Sequence, residues 1–240
     1  MIAVTFALPA ESADFIALLQ DRETRQGAKG DATGTLHRHN IAVAHTGVGK
    51  LSARERVDTL LSAASPQLLI SSGFAGATNN ELNPGDMLLA ENFCTPDMLA
   101  TARGALARTN IQTGTLATAP SVIDSAADRA TFARDLGAIA IDMETQFIAE
   151  SCAERGIPML ALRAITDTPA FPFPAPPDVL FDVEKQRTVA PRLAFYLATH
   201  PLAIVRLVSF ARRVSAARAA LAATLDLLLR SESLAAPSTR

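Results

Sequence analysis

Four carboxylates lie just beyond short apolar runs: Glu11, Asp142, Glu144 and Asp167. A carboxylate accepts hydrogen bonds from two adjacent hydroxyls, so Glu144 in Asp142-Met143-Glu144 suits bidentate binding of a diol. Near a helix start the same residue also answers the helix dipole. Asp167 in Thr166-Asp167 suits a general acid if burial raises its pKa. It equally fits an ordinary Asp that opens a loop. Two glycine-bearing segments accompany these acids. Thr46-Gly47-Val48-Gly49-Lys50 is not a P-loop, because Ala44 stands where the first glycine is needed and Leu51 where a hydroxyl should follow the lysine. It reads as a strand-to-helix turn, with contact to a ligand the open alternative. Ser71-Ser72-Gly73-Phe74-Ala75-Gly76 reads either as a nest of backbone N–H groups or as close strand–loop packing. His37 and His39 share one face of a strand with no third ligand nearby in sequence, so an exposed strand face is expected rather than a metal site. No metal or cofactor is expected.

The elements that must position these groups alternate. Ile2–Leu8 reads as a strand and Ala10–Gln20 as a helix. Leu36–Ala44 is strand-like. Leu51–Ala64 is a helix with Leu51, Val57, Leu60 and Leu61 inward. Gln67–Ser71 is a buried strand, Ser72–Gly76 a tight loop, and Met87–Ala90 another strand. Gly137–Asp142, Thr145–Arg155 and Met159–Ile165 then read as strand, helix and strand. Such alternation argues for a largely parallel sheet with helices on its faces. Ligands sit at the carboxyl ends of strands in such sheets, which selects Glu11, Thr46–Gly49, Ser71–Gly76, Asp142–Glu144 and Thr166-Asp167. Five prolines between Pro169 and Pro177 mark an irregular loop.

Thr188–Leu229 reads as helical, broken near His200-Pro201. Leu207, Phe210, Val214, Ala217, Leu221, Leu225 and Leu228 form one apolar stripe, with Arg206, Arg212, Arg213 and Arg218 on or beside its borders. The stripe packs on the core or a dimer mate, or meets lipid near the mouth of the site.

Composition bounds the rest. The 240 residues are 49% hydrophobic and 19% charged, which supplies a core and excludes disorder of the whole chain. A net charge of −2, with no Trp and one Tyr, does not call for nucleic acid. Cys94 and Cys152 make no disulfide framework. No apolar run reaches a membrane span, and the N-terminus lacks the basic start of a signal peptide, so a cytoplasmic globular protein is expected.

Taken in order, the segments Ala7-Leu8-Pro9-Ala10-Glu11, Thr46–Lys50, Ser72–Gly76, Asn83-Pro84-Gly85-Asp86, Ile141-Asp142-Met143-Glu144 and Leu162-Arg163-Ala164-Ile165-Thr166-Asp167 resemble a known family. It is the purine nucleoside phosphorylase and methylthioadenosine/S-adenosylhomocysteine nucleosidase superfamily, and the resemblance covers about residues 1–168. It implies a three-layer α/β/α sandwich around a central mixed, barrel-like sheet. Residues 1–187 would form the domain and 188–240 a helical extension packed on it. It implies that Glu11 activates a water, Met143 packs against the ribose, and Glu144 binds its hydroxyls. Asp167 would hold the purine and deliver a proton toward N7, framed by Ala75, Gly76 and Thr166. Val122 and Ile123 would line an adenine pocket.

The implied activity is cleavage of the N-glycosidic bond of a purine nucleoside, adenine above all, by water. Phosphorolysis is the alternative, and a non-catalytic nucleoside-binding or membrane-surface scaffold the second. Phosphate binding asks for arginines, and Arg54 and Arg56 are the nearest early ones, more simply read as solvated helix positions. Three departures stand out. Phe74 replaces a small hydroxyl residue, Val122 replaces an aromatic, and the Glu91–Gly114 stretch is short. The long tail resembles the hopanoid-biosynthesis-associated phosphorylase branch, whose proposed substrate is adenosylhopane. A homodimer is expected, with weak membrane-surface contact through the C-terminal helix.

Overall fold

In the computed structural model, residues 1–24, 30–182, 186, 189–231 and 234 are described. The strands are β1 (Ile2–Phe6), β2 (Gln20–Thr24), β3 (Ala32–Leu36), β4 (His39–His45), β5 (Leu68–Ala77), β6 (Met87–Ala90), β7 (Ile111–Thr118), β8 (Ala138–Asp142) and β9 (Met159–Asp167). The helices are α1 (Pro9–Ala17), α2 (Lys50–Ala64), α3 (Pro96–Ala105), α4 (Ala126–Arg134), α5 (Thr145–Glu154), α6 (Pro177–Leu180), α7 (Ala190–Thr199) and α8 (Leu202–Leu229).

The sheet runs in the order β2-β3-β4-β1-β5-β8-β7-β6-β9, and β5 also pairs with β9. That extra pairing closes β5, β8, β7, β6 and β9 into a ring, the mixed, barrel-like sheet that the family resemblance implied. Pairing is parallel for β1 with β4 and β5, for β5 with β9, and for β7 with β6 and β8. It is antiparallel for β2–β3, β3–β4, β5–β8 and β6–β9, so the sheet is mixed rather than largely parallel. β5 is the hub. Its first half lies between β1 and β9, and its last residues, Gly76 and Ala77, reach across to Ile141 and Ala140 of β8. One apolar cluster joins β1, β4, β5 and β9 to α1, α3 and α8, and a second packs α2 and α5 on the opposite face. These are the outer two layers of an α/β/α arrangement.

Several local expectations are corrected. Ser72–Gly76 is no tight loop and no nest, because β5 runs on through it and its backbone pairs with β9. Leu36–Ala44 splits into β3 and β4 around a turn at His37, whose φ is 53°. His37 and His39 therefore share no exposed strand face. His37 leaves the sheet to meet Asp226 at 2.9 Å, and His39 is buried. Leu51 is 82% exposed rather than inward. At 100° per residue it points well away from Ala53, Val57, Leu60 and Leu61, which are buried. β2 escapes periodicity altogether, since Gln20–Thr24 is polar and fully exposed at the sheet edge.

The stripe on α8 faces the protein. Ala217, Leu221, Leu225 and Leu228 are fully buried, and the helix packs mainly on α1 and β9. The lower half of the stripe is therefore core and does not meet lipid, while Leu207, Phe210 and Val214 of its upper half are half-buried.

Candidate active site

Glu11 sits in the first turn of α1, which Pro9 opens at a position where a missing N–H costs nothing. The Ala7 N–H donates to Glu11 Oε2 at 3.0 Å, turning the carboxyl inward. Burial raises its pKa to about 7, against the lowering effects of that hydrogen bond and of the Arg163 charge. The residue keeps some exposed surface, but its carboxyl lies inside. Gly73 of β5 makes room for it. A Cβ at Gly73 would lie 2.9 Å from Glu11 Oε2, and its φ of +151° already disfavours a side chain.

Beneath Glu11 lies a small cavity of about 20 Å³, bounded by Thr5, Ser72, Glu11, Glu144 and Arg163 among others. The Thr5 and Ser72 hydroxyls are buried and find no hydrogen-bond partner among the described residues. A polar cavity of this size holds one water, and a buried hydroxyl without a partner needs one.

Glu144 caps β8 and precedes α5. Its Oε1 accepts the Gly49 N–H at 2.8 Å, so the glycine turn between β4 and α2 serves to hold this acid. Gly49 has φ +89°, a conformation in which its N–H can aim there without a Cβ penalty. Burial, then the negative Asp142, raises the Glu144 pKa to about 8, and Glu11 adds to the rise.

Arg163 is the cation beneath both. It is 3% exposed, inside the apolar stretch of β9 that precedes Thr166. It donates to Asp142 Oδ2 through Nε at 3.1 Å and Nη2 at 3.0 Å, and to the Ser71 carbonyl and hydroxyl at 2.8 and 2.7 Å. Nη2 also reaches the Thr145 hydroxyl, which meets Asp142 in turn. A charge this deep persists only when fully paired, and this one is. Asp142 is thus a structural partner, while Glu11 and Glu144 keep accepting capacity for a ligand.

Asp167 ends β9 at 2% exposure. The Thr166 hydroxyl donates to its Oδ1 at 3.0 Å. Arg129 Nη1 of α4 stands 2.5 Å from Oδ2. The guanidinium and the carboxylate form a close buried ion pair. Gly76 lies against the pair. A Cβ there would come within 2.7 Å of Arg129 Nη1 and 2.8 Å of Asp167 Oδ2.

All nine residues singled out from the sequence line one cavity of about 500 Å³: Glu11, Ala75, Gly76, Val122, Ile123, Met143, Glu144, Thr166 and Asp167. Val122 is 38% exposed at its edge, and Phe74 forms part of the wall. Phe173 of the proline-rich loop and Phe210 and Val214 of α8 also line it. Two buried arginines escaped the sequence reading. Arg163 carried a signal, a lone charge inside an apolar strand. Arg129 carried none, since α4 is short, polar and weakly patterned. Arg54 and Arg56 lie outside the cavity and spend their charge on Asp58, Glu154 and Asp31.

The closed mixed sheet and the acids gathered at its strand ends define an α/β protein with a carboxylate-lined site. A family model described as Phosphorylase superfamily matches residues 1–107 and 91–199, and the chain belongs to that superfamily. It is 26% identical over 200 residues to a 5′-methylthioadenosine/S-adenosylhomocysteine nucleosidase of Staphylococcus haemolyticus, covering 70% of this chain and 86% of the relative. Its fold matches the S-adenosylhomocysteine nucleosidase of Streptococcus pyogenes in complex with 5-methylthiotubericidin. The TM-score is 0.72 at 20% identity, over 96% of each chain. It also matches the futalosine hydrolase of Helicobacter pylori at a TM-score of 0.70 and 18% identity, over 95% of this chain and 97% of the other.

Proposed function

We propose that the protein is a nucleosidase that cleaves the N-glycosidic bond of an adenine nucleoside with water. The observation that carries this reading is the water-sized polar cavity between Glu11 and Glu144. A carboxyl with a pKa near 7 is well matched to accept a proton from a water held there. Phosphate is larger than the single water that cavity holds, and Arg163, the cation lining it, is committed to Asp142 and Ser71. Glu144 then clamps the ribose diol, Met143 packs on the sugar, and Val122, Ile123 and Asp167 face the purine, framed by Ala75, Gly76 and Thr166. The nucleosidase relatives support the same reading.

Residues 1–187 carry the chemistry in this proposal, and α8 of the extension completes the cavity wall with Phe210 and Val214. The apolar wall suits a 5′ group with an apolar body, in keeping with the resemblance to the hopanoid-associated branch. The homodimer is carried over from the family resemblance alone. Contact with a membrane surface is part of the same proposal, now through the outward face of α7 and α8 rather than the buried stripe. Phe195, Leu202 and Val205 are each at least 70% exposed there. The test of the function is purine release from nucleosides with varied 5′ groups, with and without phosphate. Release that proceeds at full rate without phosphate is expected; strict dependence on phosphate would replace hydrolysis by phosphorolysis.

A further inference from the structure

We propose that Ser12, His45 and Asp31 form a chain of positioning residues that holds the first turn of α1, and with it the Glu11 carboxylate, against the sheet. The inference rests on the nucleosidase reading, in which Glu11 is the base.

The three side chains stand in serine–histidine–aspartate order. Ser12 Oγ lies 2.7 Å from His45 Nε2, and His45 Nδ1 lies 3.2 Å from Asp31 Oδ1. Such an order makes a nucleophile where the serine meets a substrate. Here it meets none. Ser12 is fully buried, and Asp31 and His45 are 4% and 7% exposed. None of the three lines either cavity of the site. Gly30 covers the imidazole. A Cβ there would lie 3.2 Å from His45 Nδ1 and 3.0 Å from Pro9 Cγ, which leaves no space for a substrate over that edge of the ring.

Asp31 is the fixed end of the chain. Its Oδ1 accepts the His45 backbone N–H at 2.9 Å, and its Oδ2 accepts from Arg56 Nη2 at 2.7 Å. Burial opposes the charge on Asp31, but the His45 and Arg56 contacts outweigh it and hold its pKa below the ordinary value. A carboxylate only accepts, so His45 Nδ1 carries a proton and Nε2 is the atom turned to Ser12. The tie holds for either charge of the ring. A neutral imidazole accepts the Ser12 O–H at Nε2. A protonated one donates there, and the Ser12 hydroxyl turns to the Pro9 carbonyl, 3.2 Å away.

The other end is α1. Its N-cap is Leu8, which offers no side-chain acceptor, so the turn that carries Glu11 starts uncapped. Ser12 ties that turn to β4 instead. Consecutive helical residues point about 100° apart, so Glu11 faces the water cavity while Ser12 faces the sheet. A shift of the turn moves both. A reacting group misplaced by about 1 Å costs about a hundredfold in rate, which is what the chain guards against.

The experiment compares Ser12→Ala, His45→Leu, their double variant and His45→Gln with the parent. In the first two, kcat for purine release should fall about ten- to a hundredfold with KM within about twofold. The double variant should lose no more than either single one, since both break one chain. His45→Gln, whose amide reaches Ser12 from the Nε2 position, should recover most of the rate. The second readout is Glu11 itself. Its carboxyl carbon resonance, assigned with Glu11→Gln, should titrate at about 7 in the parent and at lower pH in Ser12→Ala, because a loosened turn admits water. Ser12→Cys, close to serine in volume, takes the place of Ser12→Ala if the latter does not fold. A Glu11 titration unmoved in the Ser12 variant overturns the proposal, as does a rate within about twofold of the parent. Losses that add in the double variant also overturn it, for the contact would then be packing alone. A parent that releases no purine refutes the nucleosidase reading instead, and the Glu11 titration by itself then decides for the chain.

Discussion

Glu11 Oε2 and the α-carbon of Gly73 are packed so closely that a methyl group on Gly73 would lie 2.9 Å from the carboxylate oxygen. A strand residue from the sheet centre thereby sets the position of an acid carried by a surface-facing helix. Gly73→Ala should leave the fold intact and push Glu11 out of line with the water cavity. Purine release should fall about a hundredfold, the scale of one displaced general base. Gly104→Ala, at a glycine with nothing within 4 Å of its Cβ position, is the control and should be silent in the same assay.

The two raised carboxyls give activity and stability opposite pH dependence. Glu11 as a base works when ionised, so kcat/KM for hydrolysis should rise with pH through about 7. Stability runs the other way. Between the ordinary glutamate pKa of 4.5 and the raised values of about 7 and 8, the folded state holds protons that the unfolded state releases. This stabilisation is complete below pH 4.5 and is lost as pH rises through 7 to 8. Thermal unfolding of Glu11→Gln compared with the parent at pH 6 and 9 should show the variant gaining relative stability at the higher pH.

Replacing the Glu144 carboxyl by an amide should weaken the diol clamp. Glu144→Gln leaves a buried diol hydroxyl without its acceptor, a cost of about 1–3 kcal/mol in transition-state binding. The check is the ratio of kcat/KM on ribosyl and 2′-deoxyribosyl substrates, which should be large in the parent and collapse in the variant. Equal rates on both sugars in the parent would remove the clamp from the mechanism.

Arg163→Met should be severe for stability rather than for chemistry alone. It strips the partner from Asp142 and leaves a buried carboxylate uncompensated, at a cost of about 3–5 kcal/mol. Arg163→Met with Asp142→Asn should recover much of that loss, because no net charge remains buried. Denaturant unfolding of the two variants makes the comparison.

The outward face of α7 and α8 is where a membrane would be met. Residues 189–225 hold Arg192, Arg206, Arg212, Arg213 and Arg218 and no Asp or Glu. Arg218 is paired with Asp14, while Arg206 and Arg212 stand exposed. Two copies of one basic face would repel in a symmetric contact, whereas anionic head groups would be attracted. Co-sedimentation with vesicles rich in phosphatidylglycerol should be seen at low salt, weaken at high salt, and vanish in Leu202→Asp with Val205→Asp. A change in oligomeric state in that variant, without any vesicle binding by the parent, would assign the face to a second copy.

The sequence by itself determined the acids, their order and the strand ends that carry them. Short apolar runs that end in Glu11, Glu144 and Asp167 are local patterns, and the segment order carried the family likeness. It also determined α8, because seven apolar residues in helical register mark one face whatever covers that face. Tertiary structure decided what those residues meet. The ring of β5, β8, β7, β6 and β9 depends on β5 pairing with β9 across more than 80 residues of chain, and no local period records it. That closure brings Gly76 beside Asp167, lets Arg129 arrive from a helix with almost no pattern, and sends Arg163 to Asp142. Periodicity reports which face of an element is buried. Which charge lies opposite is set by the packing of elements distant in sequence, and that pairing decides whether a buried acid is a scaffold or a reagent.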